Sequence, residues 1–304
     1  MKIIVTGSTG LVGTALVRSL LAEGHQVTRM VRGGSQTFRA PGTSAVSWDP
    51  ETGIVNAAEL EGHDAVVHLA GEPVAAGRWT DEKKRRIRDS RVKSTRLLAE
   101  TLASLKDKPK VLVSASAIGF YGDRGGEVLH EESASGEDFL SEVCREWEKA
   151  ALPASQAGIR VVHLRIGIVI SAEGGALAKM LTPFKLGLGG PIGGGNQYMS
   201  WVALDDVVGI IKHALTHEEV RGPVNTVAPQ PVTNAEFAKA LGRALNRPAV
   251  LPTPAFALRL ALGREMADAL LLGGARVEPA RLKATGYQFA YPELEGALRH
   301  VLKG

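Results

Sequence analysis

The chain is poor in cysteine and in aromatic side chains, and neither sign of charge dominates it. A single cysteine among 304 residues, Cys144, rules out an internal disulfide and suits a reducing compartment, so a cytoplasmic setting is the expectation. No run approaches the ~20 apolar residues of a membrane helix, and no basic segment followed by a long apolar one opens the sequence, so neither membrane insertion nor export is expected. The 36 Lys and Arg against 32 Asp and Glu leave +4, too weak a bias to demand nucleic acid. A clustered set of metal ligands is missing too. His213 and His217 stand four apart on one helix face without an acidic ligand pattern, and no metal is expected. Aromatics make up only 5% while glycines number 35, which suits an α/β chain with many tight turns. The length suggests about two domains or one large one.

What the sequence does have is a strong opening. Lys2-Ile3-Ile4-Val5 is an apolar β-run that ends in Thr6-Gly7-Ser8-Thr9-Gly10-Leu11-Val12-Gly13, and from Gly10 the period becomes helical. Glycines between a strand and a helix serve a tight turn, a close backbone approach to pyrophosphate, and close packing of helix on strand. The helix N-terminus offers free N–H groups and the positive end of its dipole to phosphate. The spacing G-x-x-G-x-x-G differs from the commoner G-x-G-x-x-G, but its strand-to-helix context is the one the motif requires.

A second β-run spans Val27 to Val31. A cradle for NAD usually carries Asp or Glu about 20 residues past the glycines, to accept from the ribose hydroxyl. Here Arg29 and Arg32 stand near that place without an acid. A guanidinium suits a 2′-phosphate, so NADP(H) is favoured, a solvated surface arginine being the alternative. Further β-runs cover Ala45 to Trp48, Asp64 to Gly71, Lys110 to Ser116, Arg160 to Ile170 and Val224 to Val227. Helical patterns cover Thr80 to Leu105, Asp138 to Ala154, Ala176 to Lys185 and the stretch ending at Leu215, with Asp205 and Asp206 reading as N-caps. This alternation predicts an α/β fold, a Rossmann-type doubly wound parallel sheet with a smaller, mainly helical C-terminal substrate lobe. The expected division is 1–249 and 250–304, with the Rossmann core mainly in 1–170 and 200–230 returning to it. Leu186 to Gln197 is a glycine-rich loop long enough to be functional. The basic front of the long helix, Lys83 to Arg91, reads as a solvated face before a nucleic-acid patch.

Thr6 to Gly13, His68-Leu69-Ala70-Gly71, Ser114-Ala115-Ser116 with Tyr121-Gly122, Leu164-Arg165, and Trp201-Val202 with Asp205-Asp206 together resemble the extended short-chain dehydrogenase/reductases. Leu186 to Gly193 and Ala284-Thr285-Gly286-Tyr287-Gln288-Phe289 resemble their atypical branch, the epimerase-family or sugar-nucleotide epimerase-like proteins with a C-terminal domain of unassigned function. The resemblance implies that Thr6, Gly7, Gly10, Leu11, Val12 and Gly13 line the pyrophosphate, Arg32 meets the adenosine phosphate, and Leu69, Ala70 and Gly71 flank the ribose. Arg91 falls where the family usually carries asparagine, and a charged donor there could hold phosphate or ribose.

The catalytic part of the resemblance is broken. Active members place Tyr and Lys at i and i+4 on the helix after the fifth strand, so that lysine and ribose lower the phenol pKa. Here those places hold Phe139 and Val143. Ser116 is the counterpart of a substrate-orienting serine, its bland reading being a hydroxyl bonded to nearby backbone. Tyr121 is a candidate acid, its bland reading a packed ring with a hydrogen-bonded tip. Tyr198 and Glu72 are further candidates, and Cys144 reads as a small apolar filler. The functional expectation is an NADP(H)-dependent oxidoreductase or epimerase-like enzyme on an unidentified small carbonyl or sugar-type substrate. The alternative is a catalytically weak NADP(H)-binding redox sensor. The sequence leaves the oligomeric state open, a homodimer included.

Overall fold

The computed structural model describes residues 1–32 and 41–303, the side chains of Arg32 and Ile54 excepted. The chain opens with β1 (Lys2–Thr6), α1 (Leu11–Ala22), β2 (Gln26–Arg32), β3 (Thr43–Asp49), β4 (Ile54–Val55) and β5 (Ala65–His68). There follow α2 (Asp81–Ser104), β6 (Val111–Ala117), β7 (Val128–Leu129), α3 (Phe139–Ala150), α4 (Leu152–Gln156), β8 (Arg160–Ile166) and β9 (Ile168–Ile170). The remainder comprises α5 (Gly175–Lys185), β10 (Tyr198–Met199), β11 (Trp201–Ala203), α6 (Leu204–Thr216), β12 (Gly222–Thr226), β13 (Val232–Thr233) and α7 (Asn234–Leu245). It ends with α8 (Ala255–Leu262), α9 (Arg264–Ala267), β14 (Arg276–Val277), α10 (Ala280–Ala284) and α11 (Leu294–Lys303).

Eight strands form one sheet in the order β12-β8-β6-β5-β1-β2-β3-β4. All neighbours run parallel except β4, which pairs antiparallel with β3 at the edge. The order reverses between β1 and β5, and it is outside the carboxyl ends of strands at such a switch that open α/β sheets bind ligands. Strand alternation divides the core in two. Ile3, Val5, Val67, Val113 and Leu164 meet Leu16 and Leu20 of α1 and Val207, Ile210 and Ile211 of α6. On the other face Ile4, Val66 and Leu112 meet Leu98, Ala99 and Leu102 of α2 and Ala154 of α4. Burial on both faces explains why these strands read as continuous apolar runs. A third core joins Ile170, Trp201, Phe184 and Phe237 to Leu294, Ala297 and Leu298 of the last helix, so residues from both sides of 249/250 share one apolar cluster.

Three expected elements differ in detail. The run Arg160 to Ile170 is two strands, because a Cβ at Gly167 would lie 2.4 Å from the Ser200 carbonyl oxygen where β9 turns away to pair with β11. The helix expected to reach Ala154 breaks after Ala150, and Pro153 sits in the first turn of α4, where its missing N–H is harmless. Asp205 and Asp206 are not caps: Ala203 is the N-cap of α6, and both acids lie in its first turn. Asp206, 1% exposed, instead accepts from the backbone N–H groups of Ala290 and Tyr291 and the Tyr287 hydroxyl, tying α6 to the C-terminal segment.

Candidate active site

The β1–α1 corner is built by close backbone approach. Gly7 has φ +64°, and a Cβ on it would lie 2.6 Å from the Leu69 carbonyl carbon. A Cβ on Gly13 would lie 2.2 Å from the Gly7 oxygen, whereas one on Gly10 would stand 3.4 Å from that same atom. Gly7 and Gly13 are therefore required by packing, and Gly10 much less so. Gly10 is the N-cap of α1, and no side chain caps the helix. Its first N–H groups and the positive end of its dipole remain for an anion.

Thr6 is the hub beneath this corner. Its Oγ1 accepts from the N–H groups of Leu69 (3.1 Å) and Ala70 (3.3 Å) and lies 2.7 Å from His68 Nδ1. Because Thr6 receives both N–H groups, its own hydrogen goes to Nδ1, leaving the imidazole proton on Nε2, 2.9 Å from Thr95 Oγ1. Burial drives the His68 pKa down to about 4, so the ring is neutral and the hydrogen-bond chain keeps one direction. Thr95 also receives Trp147 Nε1–H at 2.9 Å, which fastens β5 to α2 and α3.

The other sequence-chosen positions gather at the same carboxyl edge. Leu69, Ala70 and Gly71 directly follow β5, and Leu11 packs near Gly174 and Gly175 at the start of α5. Arg91 donates through Nη1 to the carbonyls of Glu72 and Ile87, both at 3.0 Å, and its guanidinium carbon lies 3.3 Å from where a Gly71 Cβ would be. It also faces the Trp147 ring at 5.1 Å. Arg32 ends β2 at this edge, and its side chain lies outside the described residues. Sequence reasoning underweighted Arg29: it is buried, and its Nε donates to Ser8 Oγ at 3.0 Å beneath the glycine turn. The signal was a charged residue in the interior of a strand, with Val27 before it and Met30 and Val31 after it.

The region after β6 has a different character. Ser116 donates to Glu148 Oε1 at 2.8 Å, and Glu148 is held by Arg165 through two bonds of 2.9 Å. Arg165 also donates to the Tyr121 hydroxyl at 2.9 Å and stacks on Phe120 at 3.5 Å. Tyr121 is wholly buried, and its hydroxyl is shared between Asn225 Oδ1 and the His130 carbonyl. Burial pushes its pKa up to about 12. The phenol is thus enclosed in a polar network and presents no free proton to the cradle; the packed-ring reading describes it. Ser116 likewise spends its hydrogen on a carboxylate.

Of the two residues that the resemblance sets at the places of the Tyr/Lys pair, Phe139 opens α3 with its ring edge-on to Trp79 at 5.3 Å and under Lys84 Nζ at 4.7 Å. Val143 is 2% exposed. Glu72 receives Lys83 Nζ at 2.6 Å, and Cys144 is buried with its thiol pKa pushed up to about 12, as an apolar filler would be. On α2, Lys84, Arg86, Arg88 and Lys93 all face carboxylates, which suits a solvated, ion-paired face, whereas Lys83 is buried against Glu72. Among the described residues no cluster of three or more His, Cys, Asp or Glu could hold a metal, and no helix is long and apolar enough to cross a membrane.

Comparison with known proteins bears on this geometry. Residues 3–227 match the model of the NAD dependent epimerase/dehydratase family, and residues 253–301 match a domain of unknown function, DUF1731. The human epimerase family protein SDR39U1 is 40% identical over 306 residues, covering 99% of this chain and all of that protein. The Bacillus subtilis epimerase family protein YfhF is 38% identical over 303 residues, covering 99% of this chain and 98% of its own. The crystal structure of human SDR39U1 isoform 2, solved with NADPH, superposes with a TM-score of 0.89 at 38% identity, covering 100% of this chain and 99% of that one.

Proposed function

Since this chain belongs to the NAD dependent epimerase/dehydratase family, we propose that it holds NADP(H) in the β1–α1 corner and acts as an oxidoreductase or epimerase-like enzyme on a small carbonyl or sugar-type substrate. The observation that carries this reading is the glycine corner itself. Gly7 and Gly13 admit no side chain, the N-terminus of α1 is uncapped, and the corner stands at the sheet's switch point. The NADPH in the human relative's structure supports the choice of dinucleotide.

In this reading Thr6, Gly7, Gly10, Leu11, Val12 and Gly13 line the pyrophosphate, Leu69, Ala70 and Gly71 flank the ribose, and Arg91 and Arg32 face its phosphate or hydroxyl groups. The bound nicotinamide would supply hydride chemistry. The protein's share is to orient the ring and exclude water, and the proton donor is a group other than a Tyr/Lys pair on α3. Ser116 orients a substrate oxygen only if it exchanges its bond to Glu148 for one to substrate. Titration with NADPH and NADH, followed by single-turnover NADPH oxidation against a carbonyl panel, tests the reading. Retention of NADPH with oxidation by at least one carbonyl is expected; retention of neither nucleotide would overturn it.

A second reading, an NADP(H)-loaded sensor without turnover, is supported by the side chains at the positions that the resemblance assigns to the relay: the Phe139 ring against Trp79 and the buried Val143. Saturated cofactor with no oxidation by any carbonyl, together with a cofactor-dependent change in oligomeric state, would select it.

A further inference from the structure

Arg276 stands out among the arginines near the carboxyl edge of the sheet because no carboxylate among the described residues answers its charge. Arg124 and Arg165 each pair with a carboxylate, Glu127 and Glu148 respectively. Among the described residues Arg276 has no hydrogen bond or carboxylate partner, and its Nε is buried without an acceptor. A buried donor left unmet is unfavourable and rare in folded proteins.

Its position is rigidly set. β14 pairs in parallel with β7, Arg276 opposite Val128. Ser200 brackets it, donating to the Ala275 carbonyl at 2.7 Å and accepting the Val277 N–H at 2.9 Å. The Ser200 carbonyl in turn receives the N–H of Ile168, two residues past the end of β8. Ala275 and Val277 are buried in a small core with Tyr121, Leu129 and Val227, so strand alternation sends Arg276 to the opposite side. There its guanidinium faces the Tyr198 ring at 5.3 Å, at the exit of the glycine-rich loop. A Cβ at Gly126 would lie 3.9 Å from that ring, so little side-chain bulk crowds its edge.

We infer that Arg276 is the anchor for an oxyanion of the substrate, a carboxylate or a phosphoryl group, with Tyr198 holding the guanidinium plane. A planar fork of N–H donors matches either group bidentately, and an aromatic face beneath it removes rotational freedom before the ligand arrives. The inference rests on the proposed substrate-binding role of this edge and adds the chemical class of what binds there. It also locates the substrate on the side of the second lobe, across the edge from the dinucleotide corner.

The test uses the full chain, both free and saturated with NADPH. The side-chain Nε–H resonance of Arg276, assigned by its loss in Arg276→Lys, is followed during titration with inorganic phosphate, with succinate, and with glycerol as a neutral control. A saturable shift at millimolar anion is expected, with none from glycerol. Response to phosphate alone identifies a phosphoryl group, response to succinate alone a carboxylate, and response to both supports recognition of the fork's shared geometry. Thermal stabilisation by the effective anion is expected to fall about tenfold in apparent affinity in Arg276→Gln. If that variant does not fold, Arg276→Lys, which keeps charge and loses the fork, is expected to show the same weakening. No saturable shift with either anion, or undiminished stabilisation in both variants, overturns the inference. NADPH retention is measured in parallel by fluorescence: retention with a silent Arg276 overturns the anchor alone, and a responsive Arg276 without retention overturns the dinucleotide reading alone.

Discussion

The β1–α1 corner and the β6–α3 corner lie at the same edge of one sheet, yet they are made in opposite ways. The first is backbone against backbone, packed too closely at Gly7 and Gly13 to admit a methyl group, with donors left open at the start of α1. The second is side chain against side chain, with Ser116, Glu148, Arg165, Tyr121 and Asn225 satisfying one another. An open corner is shaped for a ligand that arrives; a closed one is shaped by the protein for itself. The contrast teaches that one sheet edge can hold a corner open to a ligand beside one whose polar groups are already satisfied.

The sharpest way to break this comparison is to add volume to the open corner. Gly13→Val is expected to weaken NADPH binding by at least about 100-fold and to cost about 3 kcal/mol of stability, because a Cβ already meets the Gly7 oxygen at 2.2 Å. Gly10→Ala, with 3.4 Å available, is expected to lose less than about tenfold. Fluorescence titration and thermal melting measure both. Equal losses would mean that general helix destabilisation, and not close approach, dominates.

In the closed corner the largest expected effect is on stability. Glu148→Gln breaks a buried ion pair, 4% and 13% exposed at its two side chains, and leaves the Arg165 charge unmatched. A loss of about 3 kcal/mol is expected in denaturant unfolding, with NADPH affinity within about twofold of the parent. A collapse of NADPH binding with stability intact would make Glu148 part of the dinucleotide site and erase the distinction.

The hydrogen-bond chain through His68 lies under the open corner and has its own signature. An unfolded histidine titrates near 6.5, whereas burial holds the folded ring neutral down to about 4. Between those values the unfolded state binds more protons, so stability is full above the unfolded pKa and falls as pH drops toward the folded one. The loss attributable to His68 is about 3 kcal/mol across that window. His163 is shifted in the same direction by burial and adds to the slope. Comparing urea unfolding of the parent and His68→Asn at several pH values isolates the His68 part, whose absence would refute the burial argument.

How far the sequence revealed all this follows the same division. The parallel sheet was legible because strands buried on both faces read as unbroken apolar runs, and the cradle because only glycine tolerates the approach at Gly7 and Gly13. The closed corner was not legible. Whether Ser116 meets Glu148, and whether the Tyr121 hydroxyl is enclosed, depends on contacts across 32 and 104 residues of chain that no local spacing encodes. Asp206 was misread for a related reason. An acid at a helix start resembles a cap, and only the tertiary position of Ala290 and Tyr291 redirects it.

The smallest expected effect is the most pointed. Phe139→Tyr puts a hydroxyl at the start of α3, where the resemblance sets the family's tyrosine, yet its consequences should be slight. NADPH affinity should stay within about twofold, since the ring packs on Trp79 away from the glycines. NADPH oxidation by any carbonyl found active should also change by less than about twofold. A phenol exchanges protons readily at neutral pH only when a neighbouring cation lowers its pKa. Position 143, one turn on, is a buried valine that supplies none. Lys84 does hang over the ring, at 4.7 Å, but its Nζ is already paired with Glu265 at 2.7 Å. The net field it offers a new phenolate is therefore weak. A rise of tenfold or more in single-turnover NADPH oxidation would mean instead that Lys84 can take the part of the absent lysine and that one hydroxyl is all the closed corner lacks.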